Sequence, residues 1–379
     1  MRSKAMLEIE LIQETERFSA LKGEWDALFE EASERSLFLS HCWYDCWWRR
    51  FSTGAALSLI VLREGGRMVG VAPLQRRRLF LHGIPVRALL LISNGNSLHN
   101  DFVVVRQERD RAMGVLLRYL YDTMPGWDVL QLTHVPADSA NLAGLTAELR
   151  GRGKSFHQRP SYDSPYLDLD RGWESFLAGR SQRVRKTLRN IQNSLARYGE
   201  PEVTEVTGWQ EFLSVWDEVR RVAQGSWTTK VGDSLATPAN ASFFQDLARA
   251  GEKEGWLSLW LLRLDGRAIA FEFHLRGNGT EHALRASYDQ EFARLSPGAY
   301  LEMQILKRLF DEPRGITRFD FGGSFDAYKR RWSDRSREHV SLLAFNDGFY
   351  PKLAAFHEKA LVTTARKVRD RLRRRDERS

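Results

Sequence analysis

Cysteine is almost absent from this sequence, and long apolar runs are missing altogether. Cys42 and Cys46 are the only two cysteines in 379 residues. No other ligand stands near them at zinc spacing, so we interpret them as buried, reduced side chains and expect no metal site. No segment reaches the roughly 20 apolar residues that span a bilayer, and the first residues lack the apolar run typical of a signal peptide. The sequence therefore predicts a cytoplasmic protein.

The positive charge of the chain is concentrated at its C-terminal end. The net charge is +8, and residues 366–379 carry seven Arg and one Lys against three acidic residues, a net of +5. Because only about +3 is left for the rest of the chain, we expect no specific nucleic-acid partner. Residues 356–375 have the pattern of a basic amphipathic helix. Peripheral contact with an anionic membrane is one interpretation, and a frayed helix in solution is the other.

The chain contains an internal repeat. Residues 57–74 read LSLIVLREGGRMVGVAPL and residues 257–274 read LSLWLLRLDGRAIAFEFH, with seven identical positions in eighteen and no gap. Each copy has two alternating apolar runs joined by a glycine-containing turn, which predicts a β-hairpin. We infer a duplication, with a first domain at residues 1–160, a second at 161–350 and a basic C-terminal helix at 351–379.

The order of elements around each hairpin indicates the fold class. Two helical patterns precede the hairpin, and a strand, a helix and another strand follow it. Since consecutive strands pair before the helix, the pattern differs from a doubly wound sheet. It predicts an α+β fold with mixed, mostly antiparallel sheets and one crossover helix in each half. A further helix is predicted at Ser181–Tyr198, ending at Gly199, with a basic face that is either solvated or bound to a polyanion.

Two segments of the second half have the pattern of a ligand site. Ser296-Pro297-Gly298 stands between a strand and a helix, where free backbone N–H groups and the helix dipole favour an anion. The alternative is an ordinary helix start, since serine caps helices and proline fits the first turn. The stretch from Asp320 through two glycines to Trp332 could form a loop over a ligand, or a turn before a solvated basic helix.

Together these segments resemble the signature of GNAT-superfamily acetyltransferases of the cellulose-biosynthesis-associated (CelD-like) type. The resemblance is strongest over residues 256–345, and it implies tandem GNAT-like folds, as in the related Fem peptidyltransferases, which use aminoacyl-tRNA as donor. It also implies acyl-CoA as the co-substrate, with the pantetheine arm along the strand edge and the pyrophosphate at the helix start. The implied donor-binding residues are Arg285, Ser287, Tyr288, Ser296, Pro297, Gly298 and Ala299.

Transfer of an acyl group needs a base for the acceptor and an acid for the leaving thiolate. Alternation along the second hairpin places Glu272 and His274 on one face, and a carboxylate within an apolar strand is costly unless it is paired or useful. Glu272 is our first candidate for the base, and an ion pair with Arg285 is the alternative interpretation. Asp320 is the second candidate for the base, and Tyr328 is the candidate acid.

Two further residues are candidates for contact with the acceptor. Lys329 could meet an anionic substrate group. Asp101 closes a polar, turn-rich loop at residues 93–101 that also contains His99 and that would reach the acceptor if the two halves form a cleft. The alternative is an exposed loop without a functional role.

The predicted function is transfer of an acyl group from acyl-CoA to an amine or hydroxyl, on a small molecule or a sugar or cell-envelope precursor. The alternatives are a Fem-like transferase that uses aminoacyl-tRNA, and a non-catalytic GNAT-fold protein that binds a polyanion.

Overall fold

The computed structural model describes residues 6–226, 235–326 and 328–359. The α-helices are α1 Thr15–Ala20, α2 Lys22–Glu31, α3 His41–Phe51, α4 Arg109–Arg118, α5 Ala140–Gly151, α6 Trp173–Ala178, α7 Gln182–Tyr198, α8 Trp209–Gln224, α9 Pro238–Glu254, α10 Pro297–Asp311 and α11, residues 349–359. The strands are β1 Leu7–Ile12, β2 Ala56–Leu57, β3 Leu59–Glu64, β4 Arg67–Ala72, β5 Leu74–Leu81, β6 Ile84–Leu91, β7 Val103–Val104, β8 Val129–Pro136, β9 Phe156–Asp168, β10 Pro201–Val206, β11 Leu257–Leu264, β12 Arg267–Gly277, β13 Thr280–Tyr288, β14 Arg318–Asp320 and β15 Ser336–Phe345.

The strands of the described chain form two sheets. One has four strands in the order β1-β3-β4-β7, and the other has eleven in the order β10-β11-β12-β13-β14-β9-β15-β8-β6-β5-β2. Strands β13 and β14 run parallel, as do β6 and β8, whereas the other described pairs are antiparallel. The prediction of an α+β fold with mixed, mostly antiparallel sheets is confirmed, and α10 is the crossover helix between β13 and β14.

The two predicted hairpins are present, and their geometry repeats. In the first, Leu62 pairs with Gly70 and the register shifts between Leu62 and Arg63. In the second, Leu262 pairs with Ala270 and the register shifts between Leu262 and Arg263. The register shift thus falls at equivalent positions of the two copies of the sequence repeat.

The halves share strands and core instead of standing apart. Strand β15, near the C-terminal end, lies between β9 and β8. The predicted boundary at residue 160 falls inside β9, which pairs with both β14 and β15, so the division into domains stays a prediction. One large apolar cluster contains buried side chains of both halves. Within it, the Trp43 ring on α3 lies 5.3 Å from the Phe243 ring on α9, edge to face.

The remaining predicted helices agree with the structure where it describes them. Helix α7 begins after Ser181, whose side chain accepts a hydrogen bond from the Val184 N–H, and ends at Gly199. The C-terminal basic helix, predicted over residues 351–379, is described only as far as residue 359, so the rest of that prediction lies outside the described residues. No helix in the described ranges combines the length and apolarity needed to cross a membrane.

Candidate functional site

Strands β13 and β14 diverge and leave an open edge. They pair only over Thr280–His282 and Arg318–Asp320. Just beyond, Leu284 is an extra residue in β13, because Phe273 pairs with Arg285 and His274 with Ala283. A bulge of this kind bends its strand. From residue 283 to 288, β13 therefore has β12 as its only strand partner among the described elements, and β14 no longer pairs with it.

Helix α10 begins beside this open edge. Ser296, at its N-terminal end, adopts a left-handed conformation with φ 53° and ψ 51°, and no side chain among the described residues caps the helix. A Cβ atom placed on Gly298 would stand 3.4 Å from Tyr288 Cδ1, so the helix start lies against the end of β13. The structure thus brings together Tyr288 and the Ser296–Ala299 turn. Helix N-termini without side-chain caps attract anions, because their N–H groups lack partners.

The predicted base, Glu272, lies in a buried cluster on the α10 face of the sheet. Its Oε2 atom is 2.9 Å from His274 Nε2, as the alternation of the strand predicted. Arg285, the alternative partner from the sequence, donates instead to Asn96 Oδ1 in the first half. His274 Nδ1 lies 3.0 Å from Glu281 Oε1. Burial opposes the charged form of His274, but the hydrogen bonds to Glu272 and Glu281 outweigh it and raise its pKa to about 9. His274 is therefore a cation at neutral pH.

Glu302, on the second turn of α10, belongs to the same cluster and was not predicted. It is buried, and its Oε2 accepts a hydrogen bond from Trp332 Nε1. Burial, with the nearby charge of Glu272, raises the pKa of Glu302 to about 8. The sequence did contain a signal for it, because Glu302 stands between the apolar residues Leu301 and Met303. A carboxylate in an apolar segment was the reason for choosing Glu272. The charge of Glu272 therefore favours a proton on Glu302 near neutral pH.

Tyr328 stands beside these carboxylates on the loop that follows β14. Its side chain is 47% exposed, yet partial desolvation and the charges of Glu302 and Glu272 raise the pKa of its phenol well above the usual range. Tyr328 therefore keeps its proton at physiological pH and can donate a hydrogen bond. Tyr328 follows β14, whereas Glu272 lies on β12, on the other side of the gap between β13 and β14.

Lys329 anchors the glycine loop. It is buried, and its Nζ donates to the carbonyl oxygens of Gly322 and Ser324. Burial lowers its pKa. Gly322 has φ 59°, and a Cβ there would stand 2.6 Å from Ala283 O, so only glycine lets this loop approach β13. The Lys329 ammonium thus forms its hydrogen bonds within the loop. Contact between Lys329 and a substrate anion stays a prediction.

Asp101 holds the loop of the first half in place. Its Oδ2 accepts from Ser139 Oγ at 2.6 Å and its Oδ1 from the Phe102 N–H at 2.7 Å. Burial raises its pKa to about 7 despite these hydrogen bonds. Both carboxylate oxygens are engaged within the first half, and a role in substrate binding stays a prediction.

Asp320, the second candidate base, lies on the other face of the sheet from Glu272. Its neighbours Phe319 and Phe321 belong to the core beneath α10, and successive side chains of a strand point to opposite faces. Asp320 Oδ2 is 2.6 Å from Nε2 of His99 and 3.2 Å from Nδ1 of His282. Burial favours the neutral acid, but the neighbouring imidazoles of His99 and His282 keep the pKa of Asp320 well below its ordinary value.

A cavity opens beside this second cluster. Its volume is about 260 Å³, and His99, His282, Ser164 and Asp320 contribute to its wall together with charged side chains of both halves. The loop at residues 93–101 therefore does reach the second half. The pairing of His99 with Asp320, 221 positions away, was not predicted.

The comparisons with known proteins agree with this architecture. Residues 182–330 match the model of the acetyltransferase (GNAT) domain family. The sequence has no significant match among curated proteins.

Several solved structures are similar over nearly the whole chain. FemX has 14% identity and a TM-score of 0.57, covering 90% of this chain and 97% of its own. The C-terminal domain of a putative lysylphosphatidylglycerol synthetase from Agrobacterium fabrum has 12% identity and a TM-score of 0.56, covering 92% and 97%. L-PGS from Bacillus licheniformis has 14% identity and a TM-score of 0.51, covering 90% and 96%. Such low identities show the fold alone. Residues 182–330 thus resemble the GNAT acetyltransferase domain family, within a fold that the chain shares with these proteins.

Proposed function

We propose that this protein is an acyltransferase that moves an acyl group from acyl-CoA to an amine or hydroxyl, in the cellulose-biosynthesis-associated branch of the GNAT superfamily. The observation that carries the proposal is the divergence of β13 from β14 next to the start of α10, which no described side chain caps. An extended amide chain that ends in phosphates matches both features, since its amides can pair with the strand and its phosphates can accept from the helix N–H groups.

In this proposal, the pantetheine amides pair with the backbone of residues 285–288. The pyrophosphate accepts hydrogen bonds from the N–H groups of Gly298 and Ala299, where the missing side chain of Gly298 leaves the backbone accessible. Ser296 and Pro297 shape the turn, and Tyr288 closes the site from the strand side. The thioester then lies where β13 and β14 diverge.

The chemistry follows from the cluster on the α10 face. The acceptor nitrogen or oxygen attacks the thioester carbon, so that a C–N or C–O bond forms and the C–S bond breaks. The carboxylate pair of Glu272 and Glu302 takes up the acceptor proton, because a pKa of about 8 for Glu302 suits a base that works near neutral pH. Tyr328 gives its proton to the departing thiolate. We assign no proton transfer to Asp320, whose oxygens are committed to the cluster on the other face.

The acceptor is proposed to be a sugar or a cell-envelope precursor. Release of free thiol from acetyl-CoA and longer acyl-CoAs, measured against a panel of amino sugars, sugars and amino acids, tests the proposal. We expect thiol release that depends on both donor and acceptor. Absence of acceptor-dependent release from any acyl-CoA would contradict it.

A second candidate donor is an aminoacyl-tRNA. The observation that favours it is the exposed basic face of α7, a helix that packs against α10 beside the proposed donor site. This face carries Arg183, Arg185, Lys186, Arg189 and Arg197. Transfer from a charged tRNA to an acceptor, without transfer from acyl-CoA, would identify this donor. Binding of tRNA without any transfer would instead indicate a polyanion-binding protein.

A further inference from the structure

Three potential metal ligands meet at the cavity between the two halves. His99, His282 and Asp320 each offer one ligand atom, and these three atoms lie within 4.8 Å of one another; all three side chains are buried. They come from three separate segments: the 93–101 loop, β13 and β14. We propose that they bind a divalent transition-metal ion, with Zn²⁺ as the first candidate, and that the remaining coordination position faces the cavity.

The hydrogen bonds around His99 indicate that a cation belongs between it and Asp320. The Arg337 carbonyl oxygen can only accept, so His339 donates to it from Nδ1 at 3.0 Å. The Nε2 of a neutral His339 is then an acceptor, and His99 donates to it from Nδ1 at 2.7 Å. The lone pair on Nε2 of a neutral His99 consequently points at Asp320 Oδ2, 2.6 Å away. Two electron pairs cannot face each other at this distance, so either a proton or a metal ion lies between them.

The groups behind the ligands have the arrangement of a metal site. Metal-bound histidines usually donate their second N–H to another acceptor, which fixes the tautomer, and His99 does so to His339. Asp320 Oδ1 accepts from Ser164 Oγ at 2.7 Å and from the Gly322 N–H at 2.9 Å, which orients Oδ2 towards the histidines. The His282 ring lies 5.1 Å from the Phe38 ring, edge to face. These contacts hold each ligand in place.

The ligand set and the spacing favour zinc over a hard cation. Two imidazoles and one carboxylate with an open position are the ligands of catalytic zinc sites, whereas Mg²⁺ and Ca²⁺ prefer oxygen. Zinc bonds of about 2.0 Å in a tetrahedral site set ligand atoms about 3.3 Å apart. The separation of His282 Nδ1 from Asp320 Oδ2 is already 3.2 Å. The His99 side must open by about 0.7 Å, which is a small movement for a residue on a loop.

The location would let the ion link the two halves. His282 and Asp320 pair with each other and are the last paired residues of β13 and β14 before the strands diverge. A metal ion here would tie the loop of the first half to the vertex of the open edge. The proposed metal site lies on the opposite face of the sheet from the proposed donor site, so metal binding does not depend on the proposed function.

The test is metal binding by the full chain, without donor or acceptor. After treatment with a chelator, we expect calorimetric titration with ZnCl₂ to show one ion per chain, and Co²⁺ to give the visible absorption of a four-coordinate site. Asp320→Asn and His282→Gln should each weaken binding by at least about 100-fold, and His339→Gln by about 10–100-fold. His157→Gln, which changes a histidine outside the cluster, is the matched control and should bind as the wild type does.

Circular dichroism of each variant separates loss of ligands from loss of folding, and the wild-type titration stands without any variant. Absence of zinc binding by the folded wild-type chain would overturn the proposal and leave a proton between His99 and Asp320. Zinc binding that survives in both folded ligand variants would overturn it as well.

Discussion

Replacing Glu302 by glutamine should stabilise the protein at alkaline pH and not at acidic pH. Burial and the charge of Glu272 raise the pKa of Glu302 from 4.5 to about 8 in the folded chain. Between these values the unfolded chain releases the proton and the folded chain retains it, so the free energy of unfolding falls as pH rises. At about 1.4 kcal/mol per pKa step, the full penalty is about 5 kcal/mol above pH 8.

Glutamine carries no charge at any pH and can still accept from Trp332. We therefore expect Glu302→Gln to match the wild type near pH 5 and to exceed its free energy of unfolding by roughly 2–5 kcal/mol at pH 9. Urea denaturation at pH 5, 6, 7, 8 and 9 measures the difference directly, because all other titrating groups are common to both chains. The matched control is Glu8→Gln on β1, an exposed position, which should change stability by less than about 0.5 kcal/mol.

A stability difference between Glu302→Gln and wild type that stays constant from pH 5 to 9 would refute this reasoning, since it would arise from packing and not from charge. A wild type that is the more stable chain at pH 9 would refute it more strongly. In that case the carboxylate pair would have a favourable partner, and its role as a base near neutral pH would lose its support.

Three further predictions address the site. Tyr328→Phe should lower kcat by about 10²-fold with little change in donor KM, measured by thiol release, because only protonation of the thiolate is lost. His274→Gln should cost about 3–5 kcal/mol at pH 6, since it removes the cation that lies between the buried carboxylates of Glu272 and Glu281. Because the pKa of His274 is raised from 6.5 to about 9, this loss should shrink as pH rises through that range, and a loss independent of pH would contradict the assignment. Gly322→Ala should cost about 1–3 kcal/mol, since φ is 59° and the new Cβ would stand 2.6 Å from Ala283 O. Gly66→Ala, with positive φ but open space around it, is its control in the same denaturation assay and should cost less.

The hairpins and α7 could be predicted from the sequence because their signals are local. Alternating apolar residues and a glycine turn specify each hairpin without reference to the rest of the chain. Helix α7 has Ser181 and Gly199 at its two ends, as expected from capping preferences. The sequence pattern was sufficient for these elements because they depend mainly on residues that are close together in the sequence.

The pairing of strands between the halves could not be predicted in this way. Strand β15 lies between β8 and β9, which precede it by more than 150 residues. An alternating pattern shows that a strand exists but contains no information on its partner when the connection is long. The boundary placed at residue 160 therefore fell within a strand that serves both halves.

The candidate site was anticipated in part for the same reason. The Ser296–Ala299 turn and Tyr288 are linked by a short loop, and the sequence places them together. Glu302 and the contact of His99 with Asp320 depend on which faces of distant elements meet in the fold. The signal available beforehand was chemical, namely charged or titratable side chains within apolar or turn-rich segments, and it marked single residues without showing their partners.

The central claim is that an acyl-CoA binds along β13 with its phosphates at the start of α10. Calorimetric titration of the wild type with acetyl-CoA, beside Gly298→Trp and the control Gly23→Trp, tests it most directly. Gly23 lies on α2 with nothing within 4 Å of an added Cβ, so its variant should bind as the wild type does. The account predicts micromolar binding that Gly298→Trp abolishes. Wild-type protein that binds neither acetyl-CoA nor a longer acyl-CoA, or a folded Gly298→Trp variant that binds them unchanged, would contradict it.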